Sequence, residues 1–153
     1  MDDIENKPIP KRIFTSSWSA FYLYYVAIGI CWFGPQLNPA FAAKIFLTPL
    51  IGFVLGLLLF GGVLYLKYGQ HYEMDAEGVI TIYHYPPRQQ LIPWHEIDKI
   101  TVRAGLTQTI LGVGNIAIQP RQGAGEEMVW YGVESPKLVK IFLERGLDES
   151  TAL

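Results

Sequence analysis

The chain of 153 residues carries 12 Lys and Arg against 14 Asp and Glu, a formal net charge of −2, and one cysteine. A single cysteine excludes an intrachain disulfide and a cysteine-held metal cluster. From Lys67 onward 8 Lys and Arg face 11 Asp and Glu, and an acidic region without a basic stripe argues against nucleic acid as a partner.

Residues 1–12 are polar and Pro-interrupted and read as a mobile N-terminal tail as far as Lys11. Ile13 to Ala43 contains no charged residue. Within it Trp18 to Phe33 is apolar, with Trp18 and Tyr22 near one end and Trp32 and Phe33 near the other, as in the aromatic belts of membrane helices. Gly34-Pro35 is expected to stop this helix, whose near end includes Ser16 and Ser17. Cys31 lies inside the run, which fits a reducing environment for the polar part. The basic residues, the apolar stretch and Ala40-Phe41-Ala42 together imitate a cleaved signal sequence. A second apolar run within a dozen residues favours a retained helix.

That second run, Ile45 to Leu66, spans 22 residues without Asp, Glu, Lys, Arg or His. As a helix it reaches about 33 Å, against a bilayer hydrocarbon core of about 30 Å. A buried helix of a soluble protein is the plainer alternative. Asn38-Pro39 and Thr48-Pro49 each have the form of an N-cap followed by proline at the first helical position. The helix therefore starts at Pro39, with a kink at Pro49, or at Pro49 itself. Residues 13–68 form the expected transmembrane hairpin. Gly52 and Gly56 make a G-x-x-x-G pair and Gly61-Gly62 a further smooth patch, allowing close helix approach. The partner is either the first helix, through Ala20, Ala27 and Gly29, or another protein. Lys7, Lys11 and Arg12 precede the hairpin, Lys44 alone lies in its connection, and Lys67 follows. The positive-inside rule then puts both termini in the cytoplasm of a multi-pass inner-membrane protein, with the tip around Gly34 to Ala43 outside.

After Tyr68-Gly69 the periodicity becomes that of strands. Gln70 to Met74 leads into the turn Asp75-Ala76-Glu77-Gly78, and Val79 to Tyr85 is β-branched and aromatic until Pro86-Pro87 breaks it. Gln90 to Ile92, Ile97 to Arg103, Asn115 to Gln119 and Met128 to Val133 follow, with a hairpin turn at Arg121 to Gly125. In Ile97 to Arg103 the alternation puts Ile100 and Val102 on one face. Ser135-Pro136 opens a helix to about Arg145, ended by Gly146, with Leu138, Ile141 and Phe142 expected to pack on the strands. Residues 148–153 are a C-terminal tail. The segment Ala104 to Gly114 holds more apolar side chains than a solvated loop needs. Leu111 and Val113 are expected to cover the strands, and Leu106 and Ile110 to form an exposed contact surface for a protein partner or the membrane.

Strands closed by one C-terminal helix follow the plan of a pleckstrin-homology barrel, and the local wording extends the likeness. Ile92-Pro93-Trp94-His95-Glu96-Ile97, then Leu111-Gly112-Val113-Gly114-Asn115-Ile116-Ala117-Ile118, then Val133-Glu134-Ser135-Pro136, together resemble the bacterial PH-like domain family, in members that carry two membrane helices before the domain. The resemblance covers Trp18 to Leu147. It implies an α+β membrane protein: a transmembrane helical hairpin, then a PH-like antiparallel β-barrel or sandwich over residues 69–147 with a C-terminal capping helix. It carries over no catalytic residues. In lipid-binding PH domains the first hairpin loop is basic, whereas here the turn read as that loop is Asp75-Ala76-Glu77-Gly78.

Chemistry is sparse. His71, His84 and His95 are far apart in sequence with no i,i+4 partner, so no metal site is expected. Glu96 and Asp98 beside His95 read as a solvated strand face, and Ser135 has no His and Asp in a usable order. Gly112-Val113-Gly114 and Gly123-Ala124-Gly125 lack the strand–glycine–helix context of a phosphate loop and read as turns. No cofactor is expected. The chain reads as a non-enzymatic interaction module, an accessory or scaffolding subunit surrounded by membrane lipids and bound to another membrane protein or complex. The alternative is a module that reads the lipids of the inner leaflet, which the lack of a basic cluster disfavours.

Overall fold

A computed structural model describes residues 9–121 and 125–151. Within them lie seven strands: β1 (Arg12–Phe14), β2 (Gln70–Met74), β3 (Gly78–His84), β4 (Pro87–Pro93), β5 (Ile97–Arg103), β6 (Val113–Pro120) and β7 (Met128–Glu134). The helices are α1 (Tyr22–Leu37), α2 (Pro39–Lys44), α3 (Pro49–Tyr68), α4 (Leu106–Ile110) and α5 (Pro136–Thr151). The chain divides into two compact units, one of them Phe21–Gly69 and the other built from the residues on either side of it.

In the first unit two long apolar helices pack together. A 3-10 turn at Trp18–Phe21 leads into α1. The stretches Trp18–Leu37 and Pro49–Tyr68, 20 residues each, are long and apolar enough to cross a bilayer. Gly34-Pro35 does not stop α1, which runs on to Leu37 with Pro35 inside it. Both capping signals in the connection are used. The Asn38 side chain accepts from the Phe41 N–H at 3.1 Å and opens α2. Thr48 Oγ1 accepts from the Ile51 N–H at 3.3 Å and opens α3. Pro49 thus begins a helix after a break and does not kink a longer one, since its fixed φ suits a first turn and its missing N–H would weaken an interior one.

In the second unit the strands form two antiparallel sheets, ordered β1-β2-β3-β4 and β5-β6-β7. Residues Arg12 to Phe14, read as tail and hairpin start, are instead an edge strand whose Arg12, Ile13 and Phe14 pair with Met74, Glu73 and Tyr72. Three residues are too few for a legible alternation, and their partner lies far along the chain. Ile9 joins the core and Lys11 reaches Glu73, so the chain is held from Ile9 onward and the expected mobile tail does not extend to Lys11. A bridge from Ser16 to Val133 links the first sheet's edge to the second sheet.

Asp75–Gly78 connects β2 to β3, and the connection between the first two strands is the helical hairpin. The acidic turn is therefore not the first hairpin loop. Asp75 builds it: its carboxylate accepts from the N–H groups of Glu77 (2.9 Å) and Gly78 (3.2 Å), the side-chain mimicry of a turn that favours Asp there. The short strand expected at Gln90 to Ile92 runs the full length of Pro87–Pro93, pairing Pro87 with His84 across a two-residue loop. Pro86-Pro87 turns the chain without ending the sheet. The expected turn at Arg121 to Gly125 falls partly outside the described residues. In β5, Ile100 is buried and Val102 half-buried.

Trp130 sits at the centre of the core. Its ring stacks on Tyr72 at 5.2 Å and meets Phe14 at 5.7 Å. Its Nε1–H donates to Thr81 Oγ1 at 3.1 Å, so the buried indole and the buried hydroxyl satisfy each other. The Tyr72 hydroxyl accepts from the Tyr131 N–H at 2.8 Å.

The helix α5 packs on the second sheet, but through a stripe that keeps only Phe142 of the three expected residues. Val139 and Leu143 are buried and Phe142 packs against the core, while Leu138 and Ile141 are 52% and 54% exposed. Nor does Gly146 end the helix, which continues to Thr151. A Cβ at Gly146 would lie 2.8 Å from Trp94 Cη2. The glycine is there because the buried Trp94 ring needs the room, not as a C-cap.

Candidate functional site

The exposed contact surface expected at Leu106 and Ile110 is built by α4. Glycines bound this single turn, and Gly112 takes the left-handed conformation (φ +68) that ends helices without a Cβ penalty. The Gln108 side chain accepts from the Gly105 N–H at 2.9 Å, and the Thr109 hydroxyl donates to the Gly105 carbonyl at 2.9 Å. Its polar groups thus serve its own backbone. Leu106 and Ile110, four residues apart, share one face and are 88% and 85% exposed. Of the two residues expected to cover the sheet, Val113 does so and Leu111 is only half covered.

The glycine pair in the hairpin faces α1. A Cβ at Gly52 would run into the Cys31 carbonyl, and one at Gly56 into the Trp32 ring. Pro35 has no N–H to offer the Cys31 carbonyl, and Gly52 brings its bare Cα against that same oxygen. Trp32 Nε1–H also reaches the Phe53 carbonyl at 3.4 Å, and its ring stacks on Phe53 at 6.2 Å. The first helix is the partner of the G-x-x-x-G pair, through Cys31, Trp32 and Pro35. Gly29, like Gly61 and Gly62, has nothing within 4 Å of where a Cβ would sit.

Two of the three histidines meet, which sequence distance concealed. His71 Nδ1 lies 3.0 Å from His84 Nε2 on the neighbouring strand, and His71 Nε2 lies 3.2 Å from Glu73 Oε1. Lys11 Nζ holds the other carboxylate oxygen at 2.9 Å. The carboxylate of Glu73 is nearly buried, and these two partners compensate the loss of water. In return, the hydrogen bond to Glu73 holds the Lys11 ammonium above its usual pKa. The only signal for the histidine pair was a strand register not readable in advance: His71 stands opposite Ile82, two residues from His84.

His95 stays apart, 3.7 Å from Glu96 on an exposed surface, and Asp98 is exposed. Ser135 precedes α5 at φ 48 and its N–H donates to the Gly112 carbonyl at 2.9 Å. Among the described residues no group of three or more His, Cys, Asp and Glu could hold a metal ion. A cavity of about 420 Å³ opens beside β4 and β7, with Tyr83, Arg88, Glu127 and Tyr131 in its wall. Arg88 lies over the Tyr83 ring at 4.2 Å, while Glu127 accepts from Nη1 and Nη2 of Arg103 at 3.2 and 2.7 Å. These charges are arranged as a polar wall. No protein-family model, curated protein or solved structure matches this chain.

Proposed function

We propose that this chain is a membrane-anchored interaction module of the bacterial PH-like type, without enzymatic activity, serving as an accessory or scaffolding subunit of a membrane protein complex. One observation carries the reading: the apolar hairpin is inserted between two strands that pair with each other. Phe14 pairs with Tyr72, so the chain leaves for α1 and returns from α3 at neighbouring positions of one sheet. A segment that crosses a bilayer from such a ladder must come back to the side it left, and two spans accomplish this. The Lys and Arg asymmetry then favours a cytoplasmic β domain and cytoplasmic termini. Four strands, three strands and a C-terminal helix support the PH-like plan. Where lipid-binding PH domains have their phosphate-gripping first loop, this chain has the hairpin, which weighs against headgroup recognition by that route.

The test is purification in mild detergent after crosslinking in native membranes. A membrane protein recovered in fixed proportion, and lost when residues 70–153 are deleted, supports the reading. A chain that crosslinks to nothing overturns it. A C-terminal cysteine that labels from outside intact cells would overturn the orientation.

A further inference from the structure

We infer that α4 is an interfacial foot, with Leu106 and Ile110 seated in the lipid headgroup region of the membrane that the hairpin enters. The inference rests on the membrane-anchored reading and adds the occupant of this surface. Its basis is where α4 stands within the β unit. The chain heading for α1 is fixed to β7: Ser16 Oγ donates to the Tyr131 carbonyl at 2.8 Å and the Ser17 N–H to the Gly132 carbonyl at 2.7 Å. Gly132 has no room for a side chain because Ala20 occupies it. The Gly132 N–H in turn donates to Asn115 Oδ1 at 2.9 Å, and Asn115 pairs with Arg103, after which the chain enters α4. Ala104 lies against Gly114, 3.1 Å from where its Cβ would be. The segment Ser16 to Ala20, the last of the β unit before the chain departs, and the two ends of α4 therefore meet at one end of the second sheet. The return point, Gln70, follows the same β1–β2 ladder to that end.

The chemistry of α4 suits a lipid interface. Ala104 to Gly114 contains no charged residue, and its cap hydrogen bonds leave few polar groups to desolvate. Two aliphatic side chains, almost wholly exposed, project from a turn next to the point where the chain becomes apolar. Such a face gains from shallow insertion in proportion to the apolar area it buries.

The experiment uses the full chain with Cys31→Ser, carrying an environment-sensitive fluorophore at Leu106→Cys, Ile110→Cys or Ala76→Cys, in phosphatidylcholine vesicles with or without brominated acyl chains. Ala76 is an exposed turn residue at the opposite end of β2 and serves as the reference. The labels at 106 and 110 are expected to emit at shorter wavelength than the label at 76, to be quenched by brominated lipid and to resist aqueous iodide. Labels at 106 and 110 that behave like the one at 76 in pure lipid overturn the inference. Protection seen in native membranes but not in pure lipid also overturns it, by assigning the surface to a protein. A chain that does not float with the vesicles brings down the anchored reading, and this inference with it.

Discussion

The helical unit and the β unit use their apolar side chains in opposite ways. In Phe21–Gly69 the large side chains point outward, with Leu37 83% and Leu58 66% exposed, and the buried positions include Ile28, Gly52, Gly56 and Val63. In the β unit Trp130, Tyr72, Ile116, Ile118 and Leu143 are fully buried. A water-soluble unit is held by removing bulk from water. Helices surrounded by hydrocarbon gain nothing that way and associate by close backbone approach, which small residues permit. The placement of glycine against tryptophan in one unit and of buried tryptophan in the other is what the proposed membrane anchoring of the helical unit would require.

The sharpest way to break the comparison is Trp130→Ala. Removing a fully buried tryptophan costs about 3–5 kcal/mol, a large part of the roughly 5–15 kcal/mol that holds a domain. Chemical unfolding followed by circular dichroism should lose the β signal at lower denaturant, with the helical signal outlasting it. An unchanged midpoint would contradict the central role given to Trp130.

Next in size is the double change Gly52→Leu, Gly56→Leu. Overpacking typically costs about 1–3 kcal/mol per site, and here the added atoms meet the Cys31 carbonyl and the Trp32 ring. Cys31 should become more reactive to a maleimide in detergent while the β unit unfolds as before. Unchanged reactivity and thermal stability would mean that the pair faces lipid.

Tyr72→Phe should cost about 1–3 kcal/mol, because it leaves a Tyr131 N–H without its acceptor. Burial raises the Tyr72 hydroxyl above its usual pKa. The folded chain therefore keeps this proton to higher pH than the unfolded chain does. Its contribution is complete below about pH 10 and lost as pH rises beyond that. A pH series of unfolding midpoints should fall at the alkaline end, and fall less in Tyr72→Phe; parallel curves would contradict this.

The smallest effect belongs to the outer face of α5. Leu138→Ser with Ile141→Ser should shift stability by no more than about 0.5 kcal/mol per site, whereas Leu143→Ala should cost about 2–5 kcal/mol. Equal losses would restore the packing face expected from sequence spacing.

What the sequence determined by itself was local. Run length and lack of charge identified both long helices, paired polar and proline residues offered Pro39 and Pro49 as alternative starts of one helix where the structure has two, and alternation bounded β5 at Ile97 and Arg103. It also pointed to Leu106 and Ile110 as uncovered, since they lie farther from the following strand than Leu111 and Val113. These are effects of neighbouring residues on one another, so one stretch of chain contains the cause. Tertiary structure alone decided the rest. Arg12 to Phe14 is a strand only because Tyr72 to Met74 lies beside it. Gly146 stays helical because Trp94 fills the space of its side chain, and His71 finds His84 through a ladder register. The buried stripe of α5 turned out to be Val139 and Leu143, one position on from Leu138 and next to Phe142. At 3.6 residues per turn adjacent residues lie about 100° apart, and only the sheet beneath selects which of two apolar stripes is pressed against it.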